Sequence, residues 1–219
     1  MRILALDSAL ARCSAALVID QVLIAERHVD TARGQASALP VMARDILAEA
    51  GVDPLSLDAI AATVGPGSFT GIRACLALAH GMALGAGIPV VAVTVPETMA
   101  SSLPHLGHRR LWTAIDSRRG RVFLDRGAGP VPYNLDDLPR PDGPVAVAGD
   151  AAIAVMAYLA ARGVNVMLTD ARYPAGRHIA LVGERRLSGQ IAPLAAQPLY
   201  VDPPEARPPA GGLRPPPIG

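Results

Sequence analysis

The segment Gly65–Arg73, with the sequence GPGSFTGIR, contains the residue types of a phosphate-binding turn. Its glycines permit a tight backbone, and Ser68 and Thr70 can cap the free N–H groups of a following helix. The N-terminus of a helix attracts anions through the same groups and through its dipole. The spacing differs from both common phosphate loops, because the chain lacks the lysine of GxxxxGK[ST] and Thr70 stands where GxGxxG requires a glycine. From these residues alone, a capped turn and an anion site are equally good interpretations.

Two acidic residues stand at the ends of predicted strands and are candidate ligands of a metal–phosphate group. Asp7, followed by Ser8, ends the first strand, where a sugar-kinase-like fold would place such a carboxylate. A candidate anion or nucleotide site therefore combines Asp7 and Ser8 with Gly65 and Gly67 of the turn. Asp116 ends a later strand and precedes a basic stretch that is either the exposed surface of a turn or an edge facing a partner. The basic residues of this stretch are Arg118, Arg119 and Arg121.

The remaining side chains offer few groups for catalysis. All 20 basic residues other than histidine are arginine, which excludes a P-loop lysine, a Schiff-base lysine and a lysine general base. The 5 histidines include no HExxH motif, and the loop pair His105 and His108 is more typical of solvated residues than of metal ligands. Cys13 and Cys75 form no CxxC motif and are expected to be buried thiols. The sequence therefore predicts no catalytic residue and no metal site.

Composition excludes several further classes of protein. Hydrophobic residues make up 51% of the 219 residues, which is enough for a substantial core, and aromatic residues only 3%, which disfavours a stacking platform for single-stranded RNA. The formal net charge of +1 gives no overall attraction to nucleic acid. The segment 74–96 is long enough to span a bilayer, but Gly85, Gly87 and Pro89 interrupt it. We expect no membrane span, no signal peptide and a cytoplasmic location.

The pattern of apolar residues predicts the order β-β-β-α-β-α-β-α for the first half of the chain. Three strands open it, and the second and third are joined by a hairpin turn at Asp20 and Gln21. The second half shows strands followed by helices less clearly. This order indicates an α/β protein with a mixed sheet covered on both faces, repeated in two related lobes. We predict a first lobe at 1–103, a smaller second lobe at 104–205 and a disordered Pro-rich tail at 206–219.

Two predicted helices of the first lobe have surfaces that could hold another protein. Leu39, Met42 and Ile46 form one apolar stripe on the helix that ends before Gly51. The helix from Ser68 to Leu84 is apolar on all sides, and small residues recur on it at four-residue spacing. A helix of this kind must be covered all round. The cover is either the rest of this chain or a partner.

Several segments together resemble the TsaB family, also called YeaZ. They are RILALDSA, GVDPLSLDAIAATVGPGSFTGIR, ALAHGMALGAGIPVVAV, IDSRRGRVF and PLYVDPPEA, and they extend over the chain to about Ala206. The motif GPGSFTG[IL]R after a strand is far more specific than a generic glycine loop. The resemblance implies an actin-like ATPase fold (ASKHA, ribonuclease H-like), with two lobes of mixed sheet flanked by helices.

The resemblance also implies a function. Members of this family are non-catalytic scaffold subunits that bind and activate TsaD, together with the ATPase TsaE, in threonylcarbamoyladenosine modification of tRNA beside the anticodon. It implies no cofactor bound tightly by the isolated chain; ATP or ADP and a metal are expected on the partner subunits or at the interface. The alternative is a nucleotide-binding, phosphotransferase-like protein of the same fold. A homodimer through the same helices stays open, as does contact between the arginine edge and tRNA.

The partner surface of the family involves its first two helices, which match Gln35–Ala50 and Ser68–Leu84 here. This chain departs from the family where GQAS, at 34–37, replaces a common histidine, and where DS at Asp7 replaces the usual DT. Both departures weaken an independent metal or nucleotide site. The residues expected at the interface are Leu39, Met42, Ala43, Ile46, Pro66, Gly67, Ser68, Phe69, Thr70, Arg73, Ala77, His80 and Gly81.

Overall fold

The computed structural model describes residues 1–30 and 34–202 and contains two five-stranded mixed sheets. The strands of the first sheet lie in the order β3-β2-β1-β4-β5. The pairs β1–β2 and β2–β3 are antiparallel, whereas β1–β4 and β4–β5 are parallel. The bounds are β1 Arg2–Asp7, β2 Arg12–Ile19, β3 Val22–Asp30, β4 Ala59–Gly65 and β5 Val90–Thr94.

The hairpin between β2 and β3 is the predicted one. Asp20 and Gln21 both have positive φ, 48° and 68°, which is the geometry of a two-residue type I′ turn. This turn matches the right-handed twist of the flanking strands. It leaves β3 at the edge of the sheet, where nearly every residue is exposed.

Helices cover both faces of the first sheet. On one face lie α1 (Gln35–Glu49) and α2 (Phe69–Ala86), and a third helix, α3 (Val95–Ser102), follows β5. Ser68 caps α2 by accepting a hydrogen bond from the N–H of Gly71, and Thr94 opens α3 with a capping box. Among the described residues, α2 is the one helix long and apolar enough to cross a membrane; six of its residues are buried in the lobe.

The second sheet has the strand order β10-β9-β6-β7-β8. A helix, α4 (Ala152–Ala160), packs on it and forms a second core with Trp112 of β6 and Val147 of β9. Strand β8 is not apparent from the sequence, because its two prolines are typical of turns, although prolines are tolerated on an edge strand such as this one. The bounds are β6 Arg110–Asp116, β7 Val122–Asp125, β8 Pro130–Tyr133, β9 Val145–Ala148 and β10 Val166–Leu168.

The final helix, α5 (Gly176–Leu187), returns to the first sheet and covers its second face. Ile179 and Ala180 pack there against Ala5 of β1, and a Cβ on Gly176 would lie 2.3 Å from the Cβ of Ala16. The predicted boundary at 103/104 therefore separates the two sheets but assigns α5 to the wrong lobe, because apolar periodicity does not show which sheet a helix covers. The predicted α/β fold with two lobes of mixed sheet is confirmed. The predicted tail, 206–219, lies outside the described residues.

Candidate functional site

The turn after β4 packs against the chain itself. A Cβ on Gly67 would lie 2.1 Å from the carbonyl oxygen of Ala9, and the N–H of Ser68 donates to that oxygen at 2.6 Å. The φ of Gly67 is 157°, which favours glycine. The open cradle that a phosphate would need above the turn is therefore filled by the segment after β1.

The first turn of α2 is held from the same side. The hydroxyl of Ser8 donates to the carbonyl oxygen of Gly71 at 2.7 Å, and the N–H of Gly71 donates to the Ser68 hydroxyl at 3.1 Å. Two N–H groups that an anion would use, those of Ser68 and Gly71, are thus bonded within the protein. The turn shapes the start of α2 in this structure.

Asp7 lies in the core beneath this turn. Its Oδ1 accepts hydrogen bonds from Thr63 Oγ1 at 2.5 Å and from the N–H of Ala9 at 3.0 Å. Its Oδ2 is buried and has no hydrogen-bond partner among the described residues. Burial raises the pKa of Asp7 to about 6, and the hydrogen bonds from Thr63 and Ala9 oppose that rise.

The four residues of the predicted anion site are accordingly not gathered at a surface. Asp7, Ser8 and Gly65 are buried, and Gly67 is half-buried against Ala9. A ligand could not reach the carboxylate of Asp7 without moving the turn.

The placement of α1 corrects the prediction for four interface residues. Their side chains lie in the core of the first lobe, because the apolar stripe that identified the helix is the face that packs on its own sheet. The outer face of α1 instead presents Val41 and Arg44. The four buried residues are Leu39, Met42, Ala43 and Ile46.

The predicted interface residues on α2 and its preceding turn differ in their exposure. Pro66 is buried, and Gly67 and Ser68 are half-buried. The exposed residues are Phe69, Thr70, Arg73, Ala77, His80 and Gly81.

The second half of α2 has an open face formed by the small residues Ala77, Gly81 and Gly85 together with Leu84. A Cβ built on Gly81 or Gly85 meets no other atom within 4 Å, and Leu84 is 87% exposed. Leu55, 66% exposed, lines a shallow apolar notch of about 190 Å³ beside the two glycines. Leu84 and Gly85 are not among the predicted interface residues, although Gly85 continues the four-residue spacing of Ala77 and Gly81.

A segment near the described C-terminus, 196–202, crosses the first half of α2; we call it the C-terminal strap. His80 Nε2 donates to the carbonyl oxygen of Ala196 at 2.9 Å, and the N–H of Leu199 donates to the carbonyl oxygen of Val64 at 2.8 Å. Asp202 then forms an ion pair with Arg121 of the second lobe at 2.7 Å. The strap therefore connects α2 and the end of β4 to the second sheet.

The strap, the turn and the loop after β6 enclose a cleft of about 520 Å³ between the lobes. Within it, Arg73 lies 3.5 Å from the ring centroid of Phe69 and donates to the hydroxyl of Tyr200 at 2.6 Å. Arg118 lines the opposite side. Aromatic rings and guanidinium groups of this kind can hold a flat, anionic molecule.

The predicted basic edge is largely neutralised by acidic neighbours. Arg118 Nη2 lies 3.4 Å from Asp150 Oδ2 and its N–H donates to Asp116, while Arg121 pairs with Asp202. Burial raises the pKa of Asp150, opposed by the backbone N–H of Asp116 and by the charge of Arg118. Within the described ranges, no group of three His, Cys, Asp or Glu side chains is arranged to hold a metal ion.

Comparison with known proteins gives consistent matches. Residues 29–137 match the profile of a family described as "TsaD: tRNA N6-adenosine threonylcarbamoyltransferase". The chain is 40% identical over 124 residues to the "tRNA threonylcarbamoyladenosine biosynthesis protein TsaB" of Escherichia coli, covering 56% of this chain and 53% of that protein. The protein of the same name from Haemophilus influenzae is 32% identical over 129 residues, with 58% and 53% coverage. The chain thus spans about half the length of these curated relatives.

A solved structure extends the likeness to nearly the whole chain. "YeaZ from Pseudomonas aeruginosa" superimposes with a TM-score of 0.74 and 26% identity, over 91% of this chain and 99% of that one. The sequence motifs, the two-lobe fold and these relatives agree. The chain is thus similar in sequence and in fold to TsaB (YeaZ) proteins.

Proposed function

We propose that this chain takes part in the biosynthesis of threonylcarbamoyladenosine in tRNA, as a non-catalytic scaffold subunit that binds and activates a TsaD protein. The names of the curated relatives support the process. The match of residues 29–137 to the TsaD profile supports the partner, because a chain related to TsaD could pair with it through a pseudo-symmetric interface like that of a twofold homodimer.

The observation that carries the proposal is the open face of α2. Ala77, Gly81 and Gly85 leave a smooth surface that another helix can approach closely, and Leu84 projects from it into solvent. Burial of one such leucine side chain contributes about 1.5–3 kcal/mol. The occupant we propose is a helix of TsaD.

The chemistry of the chain fits a subunit without its own reaction. Asp7, the carboxylate at the position where a kinase of similar fold would bind metal and phosphate, is enclosed in the core. We propose that the isolated chain binds no cofactor tightly and that ATP or ADP and the metal belong to the partner subunits or to the interface. TsaE and tRNA join through the complex, which we place in the cytoplasm.

The test is association with the cognate TsaD, measured by size exclusion with light scattering and by calorimetry. Ala77→Leu and Gly81→Leu add bulk where the chain itself leaves space, so both variants are expected to fold and to bind at least tenfold more weakly. Ala157→Leu is the matched control, because Ala157 is an exposed alanine on a helix of the second lobe. Unchanged binding by both α2 variants would refute the assignment of this face.

Activation is tested separately. In a mixture of TsaD, TsaE, ATP, substrate tRNA and a threonylcarbamoyl donor, modified tRNA is measured by mass spectrometry with and without this chain. We expect product only when the chain is present. Equal product in its absence would refute the scaffold function.

Self-association through the same face is a further part of the proposal. If the isolated chain forms a homodimer on α2, Ala77→Leu will shift its mass toward that of a monomer. Ala157→Leu will leave the mass unchanged. A dimer that Ala77→Leu does not weaken would place self-association elsewhere.

The cleft supports a second candidate, a nucleotide-binding protein of the same fold class. Phe69 and Tyr200, with ring centroids 6.2 Å apart, could flank a base while Arg73 and Arg118 face its phosphates. Calorimetry of the isolated chain with ATP and Mg²⁺ decides this candidate. Micromolar affinity that Arg73→Ala abolishes would favour it over the scaffold function.

A further inference from the structure

A second basic surface lies on the second lobe, at the end of β6 opposite to the arginine edge at the cleft. Arg110 begins β6, Arg126 follows β7 and Arg140 precedes β9, and all three line a pocket of about 260 Å³. Trp112 and Val145, buried residues of the second core, also line it. Because β6 begins at this pocket and ends at the interlobe cleft, the two sites lie at opposite ends of the strand.

Among the residues that the structure describes, none of the three guanidinium groups forms an ion pair. The hydrogen bond that one of them makes there is a long one, 3.5 Å from Arg126 Nη2 to the hydroxyl of Tyr133. Of the described residues that line the pocket, Asp142 is the acidic one. This contrasts with Arg118 and Arg121 at the cleft, which are paired with Asp150 and Asp202.

The chemistry of the pocket suits a phosphate group. Guanidinium groups donate pairs of hydrogen bonds that match phosphate oxygens, and an anion relieves the repulsion among three positive charges. Gly129 and Gly143 line the pocket without side chains, and a Cβ on either would meet no atom within 4 Å, so the approach is open. Val131, 44% exposed, adds an apolar wall on which a sugar could rest.

We propose that this pocket binds a phosphate of an RNA backbone and so helps to position tRNA. This inference rests on the proposed function, which brings tRNA to the complex. Backbone contacts of this kind fix the orientation of a nucleic acid and carry no sequence information. The arginine contact with tRNA is thereby assigned to this pocket and not to the ion-paired edge at the cleft.

The experiment measures binding of a fluorescein-labelled tRNA transcript by anisotropy, to the chain alone and to its complex with TsaD, at salt concentrations from 50 to 200 mM. The test variant combines Arg110→Ala, Arg126→Ala and Arg140→Ala. The control variant removes the same charge from exposed arginines outside the pocket, with Arg2→Ala, Arg162→Ala and Arg185→Ala. A third variant replaces the pocket arginines by lysine and keeps the charge.

The salt dependence is the decisive readout. Three phosphate contacts steepen the slope of log affinity against log salt by about 2.7, which is a roughly 40-fold change in affinity between 50 and 200 mM. We expect the slope of the alanine variant to be less steep than that of the wild type by about 2.7 and that of the control variant by less than 1. The lysine variant should keep most of the wild-type slope. Equal slopes for the alanine variant and the control would overturn the inference.

Two further measurements separate the alternatives. Inorganic phosphate and ADP are titrated into the wild-type chain and into the alanine variant by calorimetry. If the alanine substitutions abolish the binding of either anion but leave the binding of tRNA unchanged, the pocket is a site for a small anion and the inference is overturned. Association with TsaD is measured on the same samples. If the chain binds TsaD but the alanine and control variants have equal salt slopes for tRNA, only the inference fails. If the wild-type chain does not bind TsaD, the proposed function is refuted.

Discussion

Asp7 offers the sharpest test of the energetics, because its carboxylate is enclosed and half unsatisfied. Asp7→Asn removes the charge and keeps an oxygen that can accept from Thr63 Oγ1 and from the N–H of Ala9. The constant effects of the substitution on packing and hydrogen bonding do not depend on pH. The difference in unfolding free energy between variant and wild type therefore isolates the ionisation of Asp7.

The magnitude and sign follow from the raised pKa. Burial raises the pKa of Asp7 from its ordinary value of 3.8 to about 6 in the folded chain. At low pH both states hold the proton and the carboxyl costs nothing, whereas above about pH 6 folding must bury a charge. This rise in pKa corresponds to about 3 kcal/mol, so the unfolding free energy of the wild type falls by about 2–3 kcal/mol relative to that of the variant between pH 4 and pH 8.

The assay is urea unfolding followed by circular dichroism at pH 4.5, 6 and 8, with the free energy and the m-value fitted at each pH. Asp136→Asn, which removes an exposed carboxylate, is the control. His178, whose pKa is lowered by burial and by the charge of Arg177, titrates equally in all three proteins, so its effect cancels. A free-energy difference between Asp7→Asn and wild type that stays constant from pH 4.5 to 8 would refute the reasoning.

Three further predictions concern the packing. Gly67→Ala places a methyl group against the carbonyl oxygen of Ala9 and should lower the unfolding free energy by more than about 3 kcal/mol, whereas Gly81→Ala, in open space on a helix, should raise it by about 0.5–1 kcal/mol; chemical denaturation compares the two. Cys13 and Cys75 are buried, and burial raises the pKa of both thiols, so a chromogenic disulfide reagent should titrate neither in the native chain and both after unfolding; reaction of either in the native chain would contradict this. Thr94→Ala removes the capping box of α3 and should cost about 1 kcal/mol, measured by thermal unfolding.

The first sheet could be predicted from the sequence because its signals are local. The turn at Asp20 and Gln21, the apolar runs of β1 and β4 and the cap at Ser68 each act within a few residues. Pro130 and Pro132 made β8 unrecognisable, because proline disfavours a central strand but is tolerated at a sheet edge, where fewer N–H groups must pair. Helix α5 lies on the first sheet because Gly176 allows it to approach Ala16 closely. These two residues are 160 positions apart in the sequence, so no local pattern indicates their contact.

The candidate site could be predicted only in part. The spacing of Ala77 and Gly81 left open whether the chain itself or a partner covers them, and the structure leaves both exposed. The stripe that includes Leu39 and Ile46 was assigned to the interface, but it faces the core, because an apolar stripe does not show what covers it. The C-terminal strap has no periodicity, so nothing local marks its contacts with α2. Arg110 and Arg140 are 30 positions apart and meet only because β6 and β9 are neighbours.

The C-terminal strap connects α2 to the second lobe. His80 and Arg73 anchor it on the same helix that carries Ala77 and Gly81, and Asp202 fastens its far end to Arg121. A rotation of the lobes that widens the cleft would therefore strain the contacts of the strap with α2 or with Arg121. Through these contacts, the binding of a protein to α2 and the binding of a small molecule in the cleft would be energetically coupled. Thermodynamic reciprocity then requires that each changes the affinity of the other by the same factor.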